Sequence, residues 1–148
     1  MKISTKGRYG LRAMVDLSVH SNGEHVALNS IAQRQNISEN YLEQVFASLR
    51  KSGIVKSVKG AQGGYTLSRR ASEIHIGDVL RVLEGSLSVV DSGEGNNVDT
   101  NSLQYCIKVN LWDKLDEGIN KLVDSLTLED LANEYKKLNG TQNIMYYI

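Results

Sequence analysis

The chain has 148 residues, of which 41% are hydrophobic, and its 17 basic residues balance its 17 acidic ones. This length suits one ordinary domain or two small ones. Because the sequence lacks a long apolar run and the apolar core of a signal peptide, we expect neither membrane insertion nor export. A single cysteine excludes an intramolecular disulfide and fits a reducing cytoplasm. The three histidines, His20, His25 and His75, lack metal-ligand spacing, so we expect no zinc site.

The balanced total charge hides a difference between the two halves of the chain. Residues 1–84 carry 12 basic and 7 acidic side chains, a net charge of +5. The rest of the chain carries 5 lysines and 10 acidic side chains, a net charge of −5. Such an asymmetry favours contact between the basic half and a nucleic acid, although chance segregation of charge is the other interpretation.

The first half opens with three helical patterns. Apolar residues at helical spacing predict a first helix over 6–21 and a short second helix over 28–36. After a brief break, Ser38 is placed to cap a third helix and Gly53 to end it. Two helices joined by a short turn form a helix-turn-helix.

A glycine-rich stretch, KSVKGAQGGYTL at 56–67, follows the third helix directly. It places Gly60, Gly63 and Gly64 between two apolar runs with strand character. Glycine tolerates positive φ, which a tight hairpin tip needs, although an ordinary solvated turn is the bland alternative. Three helices followed by a β-hairpin describe a winged helix. We therefore expect a mainly α fold with a small β-hairpin wing.

The second half predicts a small helix ending near Glu84, a polar glycine-rich loop, a long amphipathic helix over 103–126 and a final helix opened by Thr127 and Asp130. The long apolar stripe needs a surface to bury it, and a second subunit is the economical answer. The predicted organisation is a winged-helix DNA-binding domain (1–84), a flexible loop or linker (85–101), dimerisation helices (102–140) and a C-terminal tail (141–148).

The winged-helix prediction makes a demand on the third helix. Its exposed N-terminal face should be polar, because that end enters the major groove. Glu43 can accept a hydrogen bond from a cytosine amino group, unless it is only a solvated helix residue. Nearby basic side chains would neutralise phosphates, and Tyr9 is either a backbone contact or a core residue. The predicted DNA-binding residues are Arg8, Tyr9, Ser38, Asn40, Tyr41, Glu43, Gln44, Arg50, Lys51, Lys56, Lys59, Gly60 and Gln62.

Four segments, MKISTKGRYGL, SENYLEQVF, GAQGGYTL and IGDVLRVLEG, together resemble the Rrf2 family of bacterial winged-helix regulators. The resemblance covers nearly the whole chain. It implies a homodimer formed through the long helix and binding to palindromic double-stranded DNA through the recognition helix and wing. By position, Tyr9, Glu43, Gln44 and Lys59 match residues that contact DNA in relatives.

Cluster-binding members of this family carry three cysteines in the loop before the dimerisation helix and a further ligand just after the last of these cysteines. Here only Cys106 matches; the earlier positions fall near Ser92 and Thr100, and the following slot is Val109. An iron–sulfur cluster needs about four ligands, usually thiolates. We therefore expect no cofactor and no metal. Cys106 is either a packing residue or a redox-reactive thiol.

Two further segments, DSLTLEDLA and IMYYI, resemble the branch of the family that represses cysteine-metabolism genes. Members of this branch act with O-acetylserine sulfhydrylase (cysteine synthase), an enzyme whose active site accepts a C-terminal isoleucine carboxylate. The resemblance implies that Tyr146, Tyr147 and Ile148 dock there on an extended tail, although a tail that packs on its own dimer or is disordered is the alternative.

The expected function is a cytoplasmic repressor of cysteine and sulfur-assimilation genes. One alternative is a regulator of iron–sulfur cluster assembly genes. An alternative of another class is a protein that inhibits a cysteine-biosynthesis enzyme without binding DNA. We expect no enzyme, since the sequence shows no nucleophile with a base, no P-loop and no dinucleotide fingerprint.

Overall fold

The computed structural model describes residues 1–91 and 99–146, with the side chains of the last helix as far as Gly140. Part of the predicted loop (92–98) and two predicted tail residues (Tyr147 and Ile148) lie outside the described residues. The elements are α1 Thr5–His20, α2 Leu28–Gln35, α3 Glu39–Lys51, β1 Val55–Val58, β2 Gly64–Leu67, a 3-10 turn Ala71–Glu73, α4 Ile76–Glu84, α5 Leu103–Ile107, a π-helical turn Lys108–Trp112, α6 Asp113–Ser125 and α7 Leu128–Tyr146.

The helix-turn-helix is formed by α2 and α3. Asn36 adopts a left-handed conformation (φ 54°) and ends α2. The Ser38 hydroxyl then accepts a hydrogen bond from the Tyr41 backbone N–H at 3.4 Å and caps α3, which satisfies one of the free donors at the helix start. Gly53 follows α3 with φ 88°. The predicted cap, stop and mainly α winged-helix fold are confirmed.

The apolar faces of α1 to α4 meet in one core with the hairpin. Tyr65 of β2 packs on Phe46 of α3, with ring centroids 4.8 Å apart. Leu128, at the start of α7, is also fully buried in this core. The final helix therefore packs on the winged-helix domain, a contact that the sequence analysis did not anticipate. The largest fully buried side chains of α1 to α3 are Met14, Leu17, Ile31, Leu42, Phe46 and Leu49.

The hairpin pairs β1 and β2 antiparallel, with Val55 opposite Leu67 and Val58 opposite Gly64. Of the three glycines, only Gly60 has positive φ, at 118°. The expectation for Gly63 and Gly64 is wrong, and the reason for glycine there is close backbone approach. A Cβ at Gly63 would lie 2.2 Å from the Val58 carbonyl oxygen, and one at Gly64 would lie 2.2 Å from a carbonyl oxygen in the turn before α2.

The long helix, residues 103–125, comprises α5, the π-helical turn and α6 without a break, as predicted. It packs on α4 through an ion pair, because Arg81 donates to both carboxylate oxygens of Asp124 at 2.8 Å. Arg81 also donates to Asn120 Oδ1 at 2.7 Å. The hydrogen bonds from Arg81 to Asp124 hold the pKa of Asp124 below its usual value.

The last helix, α7, begins with the predicted capping box. The Thr127 N–H donates to the Asp130 carboxylate at 2.9 Å, and the Asp130 N–H donates to the Thr127 hydroxyl at 3.1 Å. The helix continues past Gly140 to Tyr146 and so includes residues 141–146 of the predicted C-terminal tail (141–148). One glycine weakens a helix by only about 1 kcal/mol, so it does not end α7. No helix of the described residues is long and apolar enough to cross a membrane.

Candidate DNA-binding surface

The exposed face of α3 carries the predicted base-reading residues. Asn40, Glu43 and Gln44 are exposed, whereas Leu42 and Phe46 on the opposite face are buried in the core. This amphipathic division presents two amides and one carboxylate to solvent. Such groups can donate to, or accept from, base edges in a major groove.

The N-terminal part of α1 lies beside the start of α3. The rings of Tyr9 and Tyr41 meet edge to face, with centroids 6.1 Å apart. Arg8 and Arg12 lie over the Tyr9 ring at 5.9 and 5.3 Å from its centroid, within the range of cation–π contacts. Both tyrosines are half-buried and pack against the core, so each joins the core to the surface. The structure thus brings Tyr9, with Arg8 over its ring, against Tyr41 in the first turn of α3.

A second group of predicted residues lies at the other end of α3 and on the hairpin. Arg50 and Lys51 are exposed in the last turn of α3, where cations also oppose the negative end of the helix dipole. The hairpin exposes four more predicted residues, Lys56, Lys59, Gly60 and Gln62. The wing therefore adds two cations to the basic residues of α3.

The hairpin tip is held by a residue that the sequence analysis did not select. The His25 ring, in the turn before α2, contacts the Gln62 carbonyl oxygen. In the same turn, Val26 donates its N–H to the Tyr65 carbonyl at 2.9 Å and accepts one from Tyr65 at 2.9 Å. These contacts fix the direction in which the wing leaves the domain.

Two basic residues of α1, Lys6 and Arg12, were also missed as candidates. Lys6 donates to the Ser48 hydroxyl of α3 at 3.3 Å, and Arg12 donates to the Gln35 carbonyl at 2.7 Å. The four-residue spacing of Arg8 and Arg12 on one helix was the signal available in the sequence, because residues four apart share a helix face.

The long helix leaves an apolar stripe exposed, as its spacing predicts. Ile119 and Val123 pack against the core, but Leu111 and Leu115 remain exposed on the adjoining side. Towards the two ends of the helix, Leu103 and Leu122 are 74% and 61% exposed. Contiguous apolar side chains of this kind usually mark an interaction surface.

A helix-turn-helix, a basic wing and an appended pair of helices define a winged-helix DNA-binding protein. The chain belongs to the Rrf2 family: residues 3–134 match that family, which is described as an iron-dependent transcriptional regulator. The resemblance inferred from the four segments is confirmed.

Individual relatives are transcriptional regulators. The HTH-type regulator CymR of Bacillus subtilis (strain 168) is 44% identical over the full length of both chains. IscR of Pectobacterium atrosepticum is 37% identical over 94% of this chain and 84% of its own. The solved structure described as CymR (YrzC), the global cysteine regulator of B. subtilis, matches with a TM-score of 0.76 and 43% identity over 90% of this chain and 98% of that one. The structure of T. potens IscR gives 0.74 and 45%, over 93% and 90%.

The donor set of this chain does not fit an iron–sulfur cluster, although the family description names iron. The sequence holds one cysteine, whereas such clusters use about four ligands that are mostly thiolates. Cys106 lies exposed near the start of the long helix, and its sulfur is 3.7 Å from the amide nitrogen of Asn110. An amide nitrogen is a hydrogen-bond donor and not a cluster ligand, so Asn110 does not extend the donor set.

Proposed function

We propose that the protein is a homodimeric, cytoplasmic repressor that binds palindromic operators of cysteine and sulfur-metabolism genes. The observation that carries this proposal is the 44% identity to CymR over the full length of both chains, because the solved CymR is described as a global cysteine regulator. Identity over the whole length includes the recognition helix, the wing and the long helix together.

In the proposed complex, α3 lies in the major groove and reads base edges. Asn40 and Gln44 offer amides that suit adenine, and Glu43 accepts from a cytosine amino group. DNA phosphates repel a carboxylate, so Glu43 favours binding only where it faces a cytosine amino group. Glu43 would therefore contribute to sequence selectivity and not to general affinity. The cations of the wing and of the last turn of α3 bind phosphates and carry the salt-dependent part of the affinity.

A second copy of the chain covers the exposed stripe of the long helix in this proposal. Isologous packing of Leu111 and Leu115 on the same residues of a partner would generate a two-fold axis. Two recognition helices related by that axis read a palindrome, with half-sites about one helical turn apart or a multiple of it.

The proposed protein partner is O-acetylserine sulfhydrylase, and its support is the sequence resemblance of DSLTLEDLA and IMYYI to the cysteine branch. The enzyme would bind through Tyr146, Tyr147 and Ile148, and the complex would bind the operator better than the dimer alone. Deleting Tyr147 and Ile148 should abolish enzyme binding in a pull-down while leaving DNA binding by the free dimer unchanged. Unchanged enzyme binding would reject this docking mode.

The proposal as a whole is tested by capturing genomic fragments on the purified protein at moderate salt, with and without the enzyme. The matched control is the double variant Glu43→Ala, Lys59→Ala. Palindromic sites upstream of cysteine and methionine genes, enriched further by the enzyme, support the proposal. Sites upstream of iron–sulfur cluster assembly genes, indifferent to the enzyme, would instead support the function suggested by the IscR relatives. Equal capture by protein and control would reject the roles proposed for Glu43 and Lys59, and no enrichment above bulk DNA would leave inhibition of the enzyme as the remaining function.

A further inference from the structure

A cleft of about 500 Å³ lies between α1, α2 and α7, on the side of α1 that faces the last helix. One wall is apolar: Leu11, Val15 and Val19 follow one another at four-residue intervals along α1. Leu131 and Tyr135 of α7 form the facing wall. The volume is in the range of pockets that bind small organic molecules, about 300–1,000 Å³, and such pockets are typically apolar with a few polar groups.

The other edge of the cleft is charged. Asp16 is buried and is bound by Arg34, which donates to its two carboxylate oxygens at 2.7 and 3.0 Å, and by the Gln35 amide at 2.9 Å. This carboxylate is therefore already compensated. Arg8 and Arg12 line the same cleft without an acidic partner among the described residues, so the edge remains positively charged.

We propose that this cleft binds an organic anion that joins a carboxylate to an apolar body. The carboxylate lies against Arg8 and Arg12, and the apolar body lies between α1 and α7. Neither half of the ligand suffices alone: the apolar wall offers nothing to a small ion, and the cationic edge offers nothing to a neutral hydrocarbon.

The cleft is connected to the DNA-binding surface, and this step rests on the proposed function. Arg8 belongs to both, and Arg12 lies over Tyr9, whose ring contacts Tyr41 of α3. A carboxylate bound to these arginines neutralises cations that the DNA phosphates would otherwise attract. Bound anion and bound DNA therefore weaken each other, by the reciprocity of linked equilibria.

The test uses octanoate as the probe, with acetate and octan-1-ol as controls that lack the apolar body or the charge. We expect saturable binding of octanoate, one per chain, seen as NMR shifts at Val15, Val19 and Tyr135 of the full-length protein. Acetate and octan-1-ol should bind at least about tenfold more weakly. At saturation, octanoate should reduce DNA affinity by about tenfold, within the usual range of coupling between sites.

Two variants on α7 separate the cleft from the rest of the surface. Tyr135→Glu places a carboxylate in the cleft, whereas Leu138→Glu makes the same change on an exposed residue outside it. We expect Tyr135→Glu to lose octanoate binding at least tenfold and to weaken DNA binding, because its carboxylate lies in the same cleft as Arg8 and Arg12. Leu138→Glu should retain both octanoate binding and DNA affinity. The inference is overturned if octanoate shows no saturable binding, as when a second copy fills the cleft. It is also overturned if both variants lose octanoate binding equally. Octanoate binding without an effect on DNA overturns only the connection.

Discussion

At the scale of single residues, Glu43 and Lys59 are both exposed, but their substitution should affect DNA binding in different ways. Glu43→Ala would remove the proposed base-edge acceptor, so we expect DNA affinity to persist while discrimination at one base pair falls by about 1–3 kcal/mol. Lys59→Ala would remove a proposed phosphate contact, so affinity should fall on all sequences and the salt slope should decrease by about one. Fluorescence anisotropy on operator and scrambled DNA at several salt concentrations measures both. Lys137→Ala, on α7, is the matched control, and swapped phenotypes would contradict the assignment.

The ion pair between Asp16 and Arg34 should contribute more to the free energy of unfolding than ion pairs on the surface. The Asp16 side chain is fully buried, and Arg34 retains 35% exposure. Removing one charge from such a pair leaves the other poorly compensated, so we expect Asp16→Asn to lower the free energy of unfolding by about 2–3 kcal/mol. Asp113→Asn breaks the exposed pair with Lys108 and should cost under about 1 kcal/mol. Urea denaturation at matched protein concentration compares the two, and equal losses would reject the argument.

At the scale of elements, the wing depends on how closely its second strand approaches the turn before α2. Gly64→Ala would place a Cβ 2.2 Å from the Val26 carbonyl oxygen, and neither backbone can move without breaking the bridge between Val26 and Tyr65. We expect a loss of stability of roughly 2 kcal/mol or more, with weaker DNA binding. Gly140→Ala in α7, where nothing lies within 4 Å, should be neutral or stabilise by up to about 1 kcal/mol. Thermal unfolding of both variants measures the difference.

The attachment of α6 to α4 should weaken in acid. Arg81 lowers the pKa of Asp124, so this carboxylate stabilises the folded state above its ordinary pKa of about 3.9. The contribution is lost as the pH falls through the lower pKa of the folded state. Asp124→Asn should therefore be less stable than the native protein at pH 7, and the difference should shrink below about pH 4. Urea midpoints from pH 7 to pH 3 test this, with Glu117→Gln as a control that should show no such convergence.

The sequence predicts elements well where a local signal exists. It fails where a residue's role depends on a contact with a residue far away in the chain. The cap at Ser38, the stop at Gly53 and the capping box opened by Thr127 are local hydrogen-bond patterns, so their positions were predictable. The role of Gly64 was mistaken because its constraint comes from Val26, almost forty residues away. The cleft was not predictable for the same reason: α7 is more than a hundred residues from the α1 residues it faces.

At the scale of the whole molecule, the basic half and the acidic half of the chain form different elements. The basic half forms most of the core, α3 and the wing, and the acidic half adds the long helix and α7, whose Leu128 is buried in the same core. The exposed polar face of α3 was predictable from helix polarity, because its apolar residues recur at helical spacing on the other face. The supporting residues His25, Lys6 and Arg12 were not, since their roles depend on which neighbours the fold supplies.

Assembly of two copies should depend on the exposed apolar stripe of the long helix. If a second copy covers the stripe, the double variant Leu111→Glu, Leu115→Glu places two carboxylates per chain in an apolar interface, where unpaired charges are not tolerated. We expect analytical ultracentrifugation to show a monomer, with native helicity by circular dichroism, because both side chains are already exposed in the single chain.

Loss of the dimer separates two recognition helices that otherwise act as one bivalent ligand. Operator affinity should therefore fall by roughly 10²-fold or more, while binding to scrambled DNA changes much less. Glu117→Lys changes charge on the opposite side of the same helix and should leave the dimer intact. A double variant that remains dimeric would show that another surface holds the two copies, and the palindromic operator would then require a different two-fold axis.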